Sequence, residues 1–305
     1  MGLIGRMGMN TRNIRFRSNR VRDILALYHE ELDGMYGTGE VSAFGEMLFE
    51  AFLGWDRVRL LTSREQTIDQ SDLLRFHWAL EDLKRHRPIQ HIIGHVDFCG
   101  CRIAVSPDVL IPRPETEEMV NSLTPGPSPT GEGSRILDLC TGSGCIAIAL
   151  KKAFPAADVT AVDVSSKALE IARQNAKNNG VEVQFVERDV LNGVDGLNGS
   201  YGLIVSNPPY VMEKERAQMQ PNVLDYDPAL ALFVPDYDPL RFYKAIAAIA
   251  KEHLATDGLL VVEINEALAD ETAALFRACG FSPTIHDDFR GKHRWIAATF
   301  HTHIQ

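Results

Sequence analysis

Apolar positions follow two different rhythms along the chain. From 21 to 85 they recur every three or four residues: Val21, Ile24, Leu25 and Tyr28, then Phe44, Leu48, Phe49 and Phe52, then Leu73, Phe76, Leu80 and Leu83. That spacing lines one face of a helix, and Ser71 stands where a side-chain cap would open the third one. The segment predicts a small helical domain over 21–86 whose aromatics form its core. After residue 134 the rhythm changes. Short apolar runs at Arg135–Leu139, Val159–Val162, Val183–Val186, Leu203–Val205 and Leu259–Ile264 read as buried strands. Helical patterns at Cys145–Ala153, Ser166–Asn178, Pro239–Leu254 and Glu266–Ala278 alternate with them. Such alternation predicts an α/β domain over 135–302, a parallel sheet with helices on both faces. Ser282–Ile285 and Trp295–Phe300 predict a closing antiparallel hairpin.

Between the two regimes, 87–122 reads as a bridge. Apolar alternation near Val96–Val105 predicts a β-hairpin. Pro112 and Pro114 flank Arg113 and stiffen an extended loop, and Glu115 can start a helix. Residues 123–134 hold three prolines and three glycines, which predicts a flexible insertion. Residues 1–20 carry Arg6, Arg12, Arg15, Arg17 and Arg20 and no acid. They predict a disordered basic tail, with a later start at Met7 or Met9 and a mitochondrial transit peptide as alternatives.

Charge and cysteines narrow the classes. The 305 residues carry a net charge of −10, which repels phosphates on average and disfavours a grip on a long nucleic acid. No apolar run approaches the ~18–20 residues of a membrane span, and 1–20 has no secretory apolar stretch. The five cysteines, Cys99, Cys101, Cys140, Cys145 and Cys279, form no C-x-x-C pair. Free thiols in a reducing cytoplasm are expected, with no metal.

Ile136–Ala147 reads as strand, tight turn and helix start, with Gly142 and Gly144 letting the backbone approach a ligand. Gly142-x-Gly144-x-x-Ala147 also fits a dinucleotide fingerprint. Asp138, four residues before Gly142, would repel a pyrophosphate but can meet the cationic amino-acid end of S-adenosylmethionine. A turn or capping role is its alternative. Asp163 ends the next strand, where a carboxylate can accept both ribose hydroxyls. Asp189 stands where an adenine amino group could be held, or is an exposed turn acid.

Asn207-Pro208-Pro209-Tyr210 follows the fourth strand. Ligands of open α/β sheets bind beyond the carboxyl ends of the strands, so this loop should face the glycine loop. The residue types suit methylation of a planar nitrogen, whose lone pair is delocalised and must be aimed. Asn207 offers a side-chain carbonyl, Pro208 a backbone carbonyl on a stiff chain, and Tyr210 a ring to stack on the flat group.

These segments resemble the peptide chain release factor N5-glutamine methyltransferases, the HemK/PrmC family. The most specific stretches are Arg87-Pro88-Ile89-Gln90-His91-Ile92-Ile93-Gly94, Phe98, Leu110-Ile111-Pro112-Arg113-Pro114-Glu115-Thr116-Glu117 and Asn207–Tyr210. The likeness spans roughly 21–300 without the insertion. It implies a class I S-adenosylmethionine-dependent methyltransferase, Rossmann-like with a seven-stranded sheet, an N-terminal helical domain and a β-hairpin bridge. It implies methyl transfer from S-adenosyl-L-methionine, leaving S-adenosyl-L-homocysteine, to the glutamine amide of a Gly-Gly-Gln motif in class I release factors. By position, Cys140, Thr141, Gly142, Ser143, Gly144, Asp163, Val190 and Asn207 would line the donor, with Asp138 and Asp189 beside them. Asn207, Pro208 and Tyr210 would act on the glutamine, with Phe98, Pro112 and Pro209 around it. Cys140 stands where many relatives have Gly, Asp227-Pro228 where Glu-Pro is usual, and Val190 where some carry an aromatic. A monomer is expected, without direct nucleic acid or membrane partners. A glutamine methyltransferase of a large-subunit ribosomal protein and an adenine N6-methyltransferase share the Asn-Pro-Pro-Tyr chemistry and are the alternatives. An NAD-dependent dehydrogenase or a non-catalytic module would leave that loop without a role.

Overall fold

The computed structural model of the protein describes residues 16–124, 135–194, 196–197 and 199–300. Most of the basic tail expected at 1–20, and of the insertion expected at 123–134, lies outside these residues. The chain divides into two compact units between Ile93 and Gly94.

The first unit is helical: α1 (Val21–Tyr36), α2 (Thr38–Leu53), α3 (Arg57–Thr62), α4 (Gln70–Leu83) and α5 (Ile89–Ile93). Its core joins the stripes seen in the sequence, with Ile24, Tyr28, Leu48, Phe49, Phe76 and Leu83 almost fully buried. The Tyr28 hydroxyl donates to the Phe76 carbonyl at 2.6 Å, which satisfies the polar end of a buried ring. Ser71 is not the cap of α4. The helix begins at Gln70 with Asp69 at the N-cap, and no side chain closes it.

The second unit opens with the hairpin β1 (His95–Phe98) and β2 (Cys101–Ala104). Its two-residue turn has positive φ at Cys99 (47°) and Gly100 (69°), the sense that matches strand twist. Helix α6 (Pro114–Leu123) follows, with proline in its first turn. Then come β3 (Arg135–Leu139), α7 (Cys145–Ala153), β4 (Asp158–Asp163), α8 (Ser166–Asn178), β5 (Gln184–Glu187) and β6 (Tyr201–Ser206). An excursion follows: β7 (Val211–Met212), α9 (Pro221–Leu224), α10 (Ala229–Leu232) and β8 (Phe233–Val234). The chain ends with α11 (Arg241–His253), β9 (Leu254–Glu263), α12 (Ala269–Ala278), β10 (Phe281–Asp287) and β11 (His293–Phe300).

Seven strands form one sheet in the order β5-β4-β3-β6-β9-β11-β10. β11 alone runs against its neighbours. Successive strand side chains point to opposite faces, so the continuous apolar runs fill two cores. Ile136, Val159, Leu203 and Val205 pack with α7 and the hairpin. Leu137, Leu139, Ile204 and Leu260 pack with α11 and α12. The hairpin is fastened by Asn175 of α8, whose Oδ1 accepts from Ala104 N at 2.8 Å. The Asn175 amide nitrogen donates to Ala104 O (3.0 Å) and to Ser143 O (2.9 Å), tying hairpin and glycine loop together. Among the described residues no helix is long and apolar enough to cross a membrane.

Candidate active site

The sheet register brings the site together. Leu139 of β3 pairs with Val162 of β4 and Ser206 of β6, and Ser206 with Val262 of β9. Four parallel strands therefore end level, and the loops that leave them share one edge. The strand order reverses between β3 and β6, the usual place for a ligand crevice.

A cavity of about 300 Å³ opens there, at the lower end of the range for small-molecule sites. Cys140, Thr141, Gly142, Ser143, Asp163, Asp189, Val190, Asn207, Pro209 and Pro112 all line it. Arg113, Thr116 and Phe242 complete part of its wall.

The glycine loop turns through positive φ at Cys140 (60°), Gly142 (55°) and Gly144 (80°). At Gly144 a Cβ would lie 3.0 Å from Ala172 Cβ, so the α7–α8 contact has no room for a side chain. Cys140 adopts the same left-handed conformation with a side chain, at a strain of roughly 1 kcal/mol. Burial pushes its thiol well above the ordinary range, and Asp163 adds to that.

Asp138 lies beneath the loop and not on the cavity wall. It is fully buried, and its Oδ2 accepts from Thr141 Oγ1 at 2.5 Å and from Ala147 N at 3.2 Å. These are the contacts of the capping alternative, and they use Oδ2 alone; Oδ1 is buried and takes no hydrogen bond from any described residue. Burial raises its carboxyl to about 7 against the opposing hydrogen bonds from Thr141 and Ala147.

Asp163 ends β4 and faces the cavity. Its Oδ2 accepts from Gly142 N (2.8 Å) and its Oδ1 from Ser165 N (2.9 Å). Each carboxylate oxygen keeps a further lone pair, so the pair can still receive two hydroxyls. Asp189 receives Leu191 N on one oxygen and the Asn192 amide on the other, both within the turn it starts.

In the Asn207–Tyr210 loop, Pro208 and Pro209 are buried and Asn207 and Tyr210 half-buried. Asn207 Nδ2 donates to Thr116 Oγ1 at 3.0 Å. Thr116 Oγ1 donates to Glu263 Oε2 at 2.6 Å, and Tyr210 donates to Glu263 Oε1 at 2.8 Å. Asn265 supports the loop from below by donating to Tyr210 O at 3.1 Å and to Glu215 Oε2 at 2.9 Å. Burial raises the Tyr210 phenol well above its usual range, and the adjacent Glu263 carboxylate raises it further.

Phe98 is not a cavity wall. It is 2% exposed and packs in the core under the hairpin, since a four-residue strand needs a large buried side chain to stay docked. Gly144, Pro208 and Tyr210 also fall outside the cavity lining. The sequence reading missed Thr116 and Glu263 as site residues. A signal for Glu263 existed: a lone acid closing an apolar strand is rarely buried without partners.

A seven-stranded sheet of this order, with one reversed strand, a glycine loop after the first strand and an acid closing the second, defines a class I methyltransferase. Residues 119–224 match the family described as Methyltransferase small domain, and 28–94 the PrmC N-terminal domain. The chain is 39% identical over 283 residues to a release factor glutamine methyltransferase of Flavobacterium psychrophilum, spanning 92% of this chain and 99% of that protein. A release factor glutamine methyltransferase of Bacteroides thetaiotaomicron is likewise 39% identical over 277 residues, 90% of this chain and 98% of the other. The chain belongs to the release factor glutamine methyltransferase family. The catalytic domain of hMettl16 shares the fold at 15% identity, with a TM-score of 0.51 over 80% of this chain and 87% of that one.

Proposed function

We propose that the protein transfers the methyl group of S-adenosyl-L-methionine to the side-chain amide nitrogen of the glutamine in a Gly-Gly-Gln loop of class I release factors. The observation that carries this reading is that Asn207 and Pro209 line the same cavity as the glycine loop and Asp163. A donor-binding loop and an amide-binding loop thus share one space.

The residues fit the donor. Gly142 holds a positive-φ backbone on the cavity wall, open to a close ligand, and Asp163 keeps lone pairs there for ribose hydroxyls. Val190, 3% exposed, offers an apolar surface for an adenine. When bound, the donor supplies an electrophilic methyl carried on a sulfonium.

The chain's own residues then position the nitrogen. Asn207 and the Pro208 carbonyl accept the two N–H bonds of the glutamine amide, which aims its lone pair at the methyl. Tyr210, anchored by Glu263, supports the carbonyl side of the group. The S–CH₃ bond breaks as the N–CH₃ bond forms, and the alkylated nitrogen, now acidic, releases its proton to water. Positioning and electrostatics supply the acceleration, without a strong base. Glycines before the glutamine let a backbone enter without side-chain clashes. The helical unit 21–86 would recognise the release factor, and work on a translation factor fits a cytoplasmic enzyme.

The test is mass spectrometry of a class I release factor incubated with the protein and labelled donor. Label is expected on the Gly-Gly-Gln glutamine. Label in a ribosomal protein or in DNA, with none in the release factor, overturns the reading.

A further inference from the structure

We propose that Glu263, acting through Thr116, fixes which end of the Asn207 side-chain amide faces the cavity, and is a positioning residue for methyl transfer. The proposal rests on the reading of Asn207 as the acceptor of the substrate amide.

The argument is one of donors and acceptors. Glu263 ends β9, one residue beyond the partner of Ser206, and therefore lies beside Asn207. It is 1% exposed and takes a hydroxyl on each oxygen. A carboxylate only accepts. Thr116 has a single O–H, and its contact with Glu263 commits that hydrogen. Towards Asn207 the Thr116 oxygen can then only accept, so the group 3.0 Å away must be the Asn207 NH₂. Asn207 Oδ1, which takes no hydrogen bond from any described residue, is left as the acceptor for an incoming N–H.

Without the carboxylate this direction is lost. An amide at 263 must donate to one of its two hydroxyl neighbours. Thr116 could then receive that bond and donate to Asn207 Oδ1, turning the NH₂ into the cavity. There it would meet the N–H bonds of the substrate with donors of its own. Thr116 thus transmits a polarity set by Glu263, and neither residue needs to touch the methyl group.

The test compares E263Q, T116V, T116S and N207A in the full-length protein. It measures kcat, KM for the release factor, donor Kd by calorimetry, and Tm. E263Q and T116V should each lower kcat at least tenfold, with donor Kd within threefold for E263Q. T116S, which keeps the hydroxyl, should recover most of the loss seen in T116V. The double variant E263Q/T116V should be no slower than the worse single one, because one broken relay cannot break twice. If E263Q fails to fold, the T116V and T116S pair decides alone. The relay is overturned if T116S is as slow as T116V, if both E263Q and T116V keep kcat within threefold, or if the two losses multiply. The first two outcomes leave Asn207 untouched provided N207A is slow. A fast N207A instead removes the Asn207 reading itself and this inference with it.

Discussion

Arg113 reaches Asp227 across 114 residues of chain, with Nη2 2.5 Å from Oδ2. The aspartate side chain is 1% exposed and the arginine 33%. The pair ties the rigid Pro112–Pro114 loop to the excursion that carries α9 and α10. Both segments wall the cavity, through Pro112 and Arg113 on one side and Pro228, Leu230 and Ala231 on the other. Burial pushes the Asp227 carboxyl up, and the Arg113 guanidinium pulls it back down.

Breaking that pair should loosen the wall. Asp227→Asn removes the charge but not the volume, and losing a charged hydrogen bond is worth about 1.5–3 kcal/mol. Limited proteolysis is expected to cut the variant faster within 213–232, while cutting in the helical unit stays the same. An unchanged cleavage pattern would show that the excursion is held by its apolar contacts alone.

Asp163 carries a second prediction. Asp163→Ala removes the acceptor of Gly142 N and Ser165 N, and with it the two ribose contacts proposed for the carboxylate. Donor affinity should fall by about 1–3 kcal/mol, the range for losing a charged hydrogen-bonding partner. Calorimetry that finds the donor bound as tightly as in the wild type would remove Asp163 from the site.

Much of this was legible in the sequence. The ranges Cys145–Ala153 and Ser166–Asn178 are the helix bounds found, because Gly144 and Ser165 mark the starts and no apolar stripe runs on past the ends. Strand β9 begins five residues before the expected Leu259, because Leu254 already pairs with Tyr201 while the polar Ala255–Gly258 forms an irregularity before Leu259 pairs with Leu203. The loops were legible because Gly and Asn-Pro mark sharp turns. The Thr116–Glu263 contact was not, since it joins residues 147 apart and no local pattern encodes it. Phe98 shows the opposite failure. An apolar residue inside a motif looks the same whether it meets a ligand or the core, and only the packing decides.

Asp138 predicts a pH dependence of stability. Its folded carboxyl titrates at about 7, above the ordinary value of 3.8. Between those values the folded state binds more protons than the unfolded one, so stability falls as pH rises through the window. The penalty is complete above about pH 7. Asp138→Asn keeps an oxygen for Thr141 and Ala147 but cannot ionise. Relative to the wild type it should gain stability in urea unfolding at pH 8 compared with pH 4. An equal difference at both values would mean that Asp138 is ionised throughout. Asp163, Asp227 and Glu263 are raised in the same direction, so the comparison must be between the two proteins and not along one curve.

Asn207 allows the sharpest test of the site, because two replacements separate charge from shape. Asn207→Ala removes the acceptor, and loss of one such transition-state contact lowers turnover by about 10²–10³-fold. Asn207→Asp keeps an oxygen on the cavity side and nearly the same shape, so a simple acceptor role predicts that it works. The surrounding network predicts that it does not. The Thr116 hydrogen is committed to Glu263, so a second carboxylate oxygen would face the Thr116 oxygen with no hydrogen between them. The variant must then turn away or become protonated. Steady-state kinetics are therefore expected to show Asn207→Asp about as slow as Asn207→Ala, with donor binding largely kept in Asn207→Ala. Near-normal turnover of Asn207→Asp would mean that its amide nitrogen has no structural duty and that the loop is held in place by the two prolines.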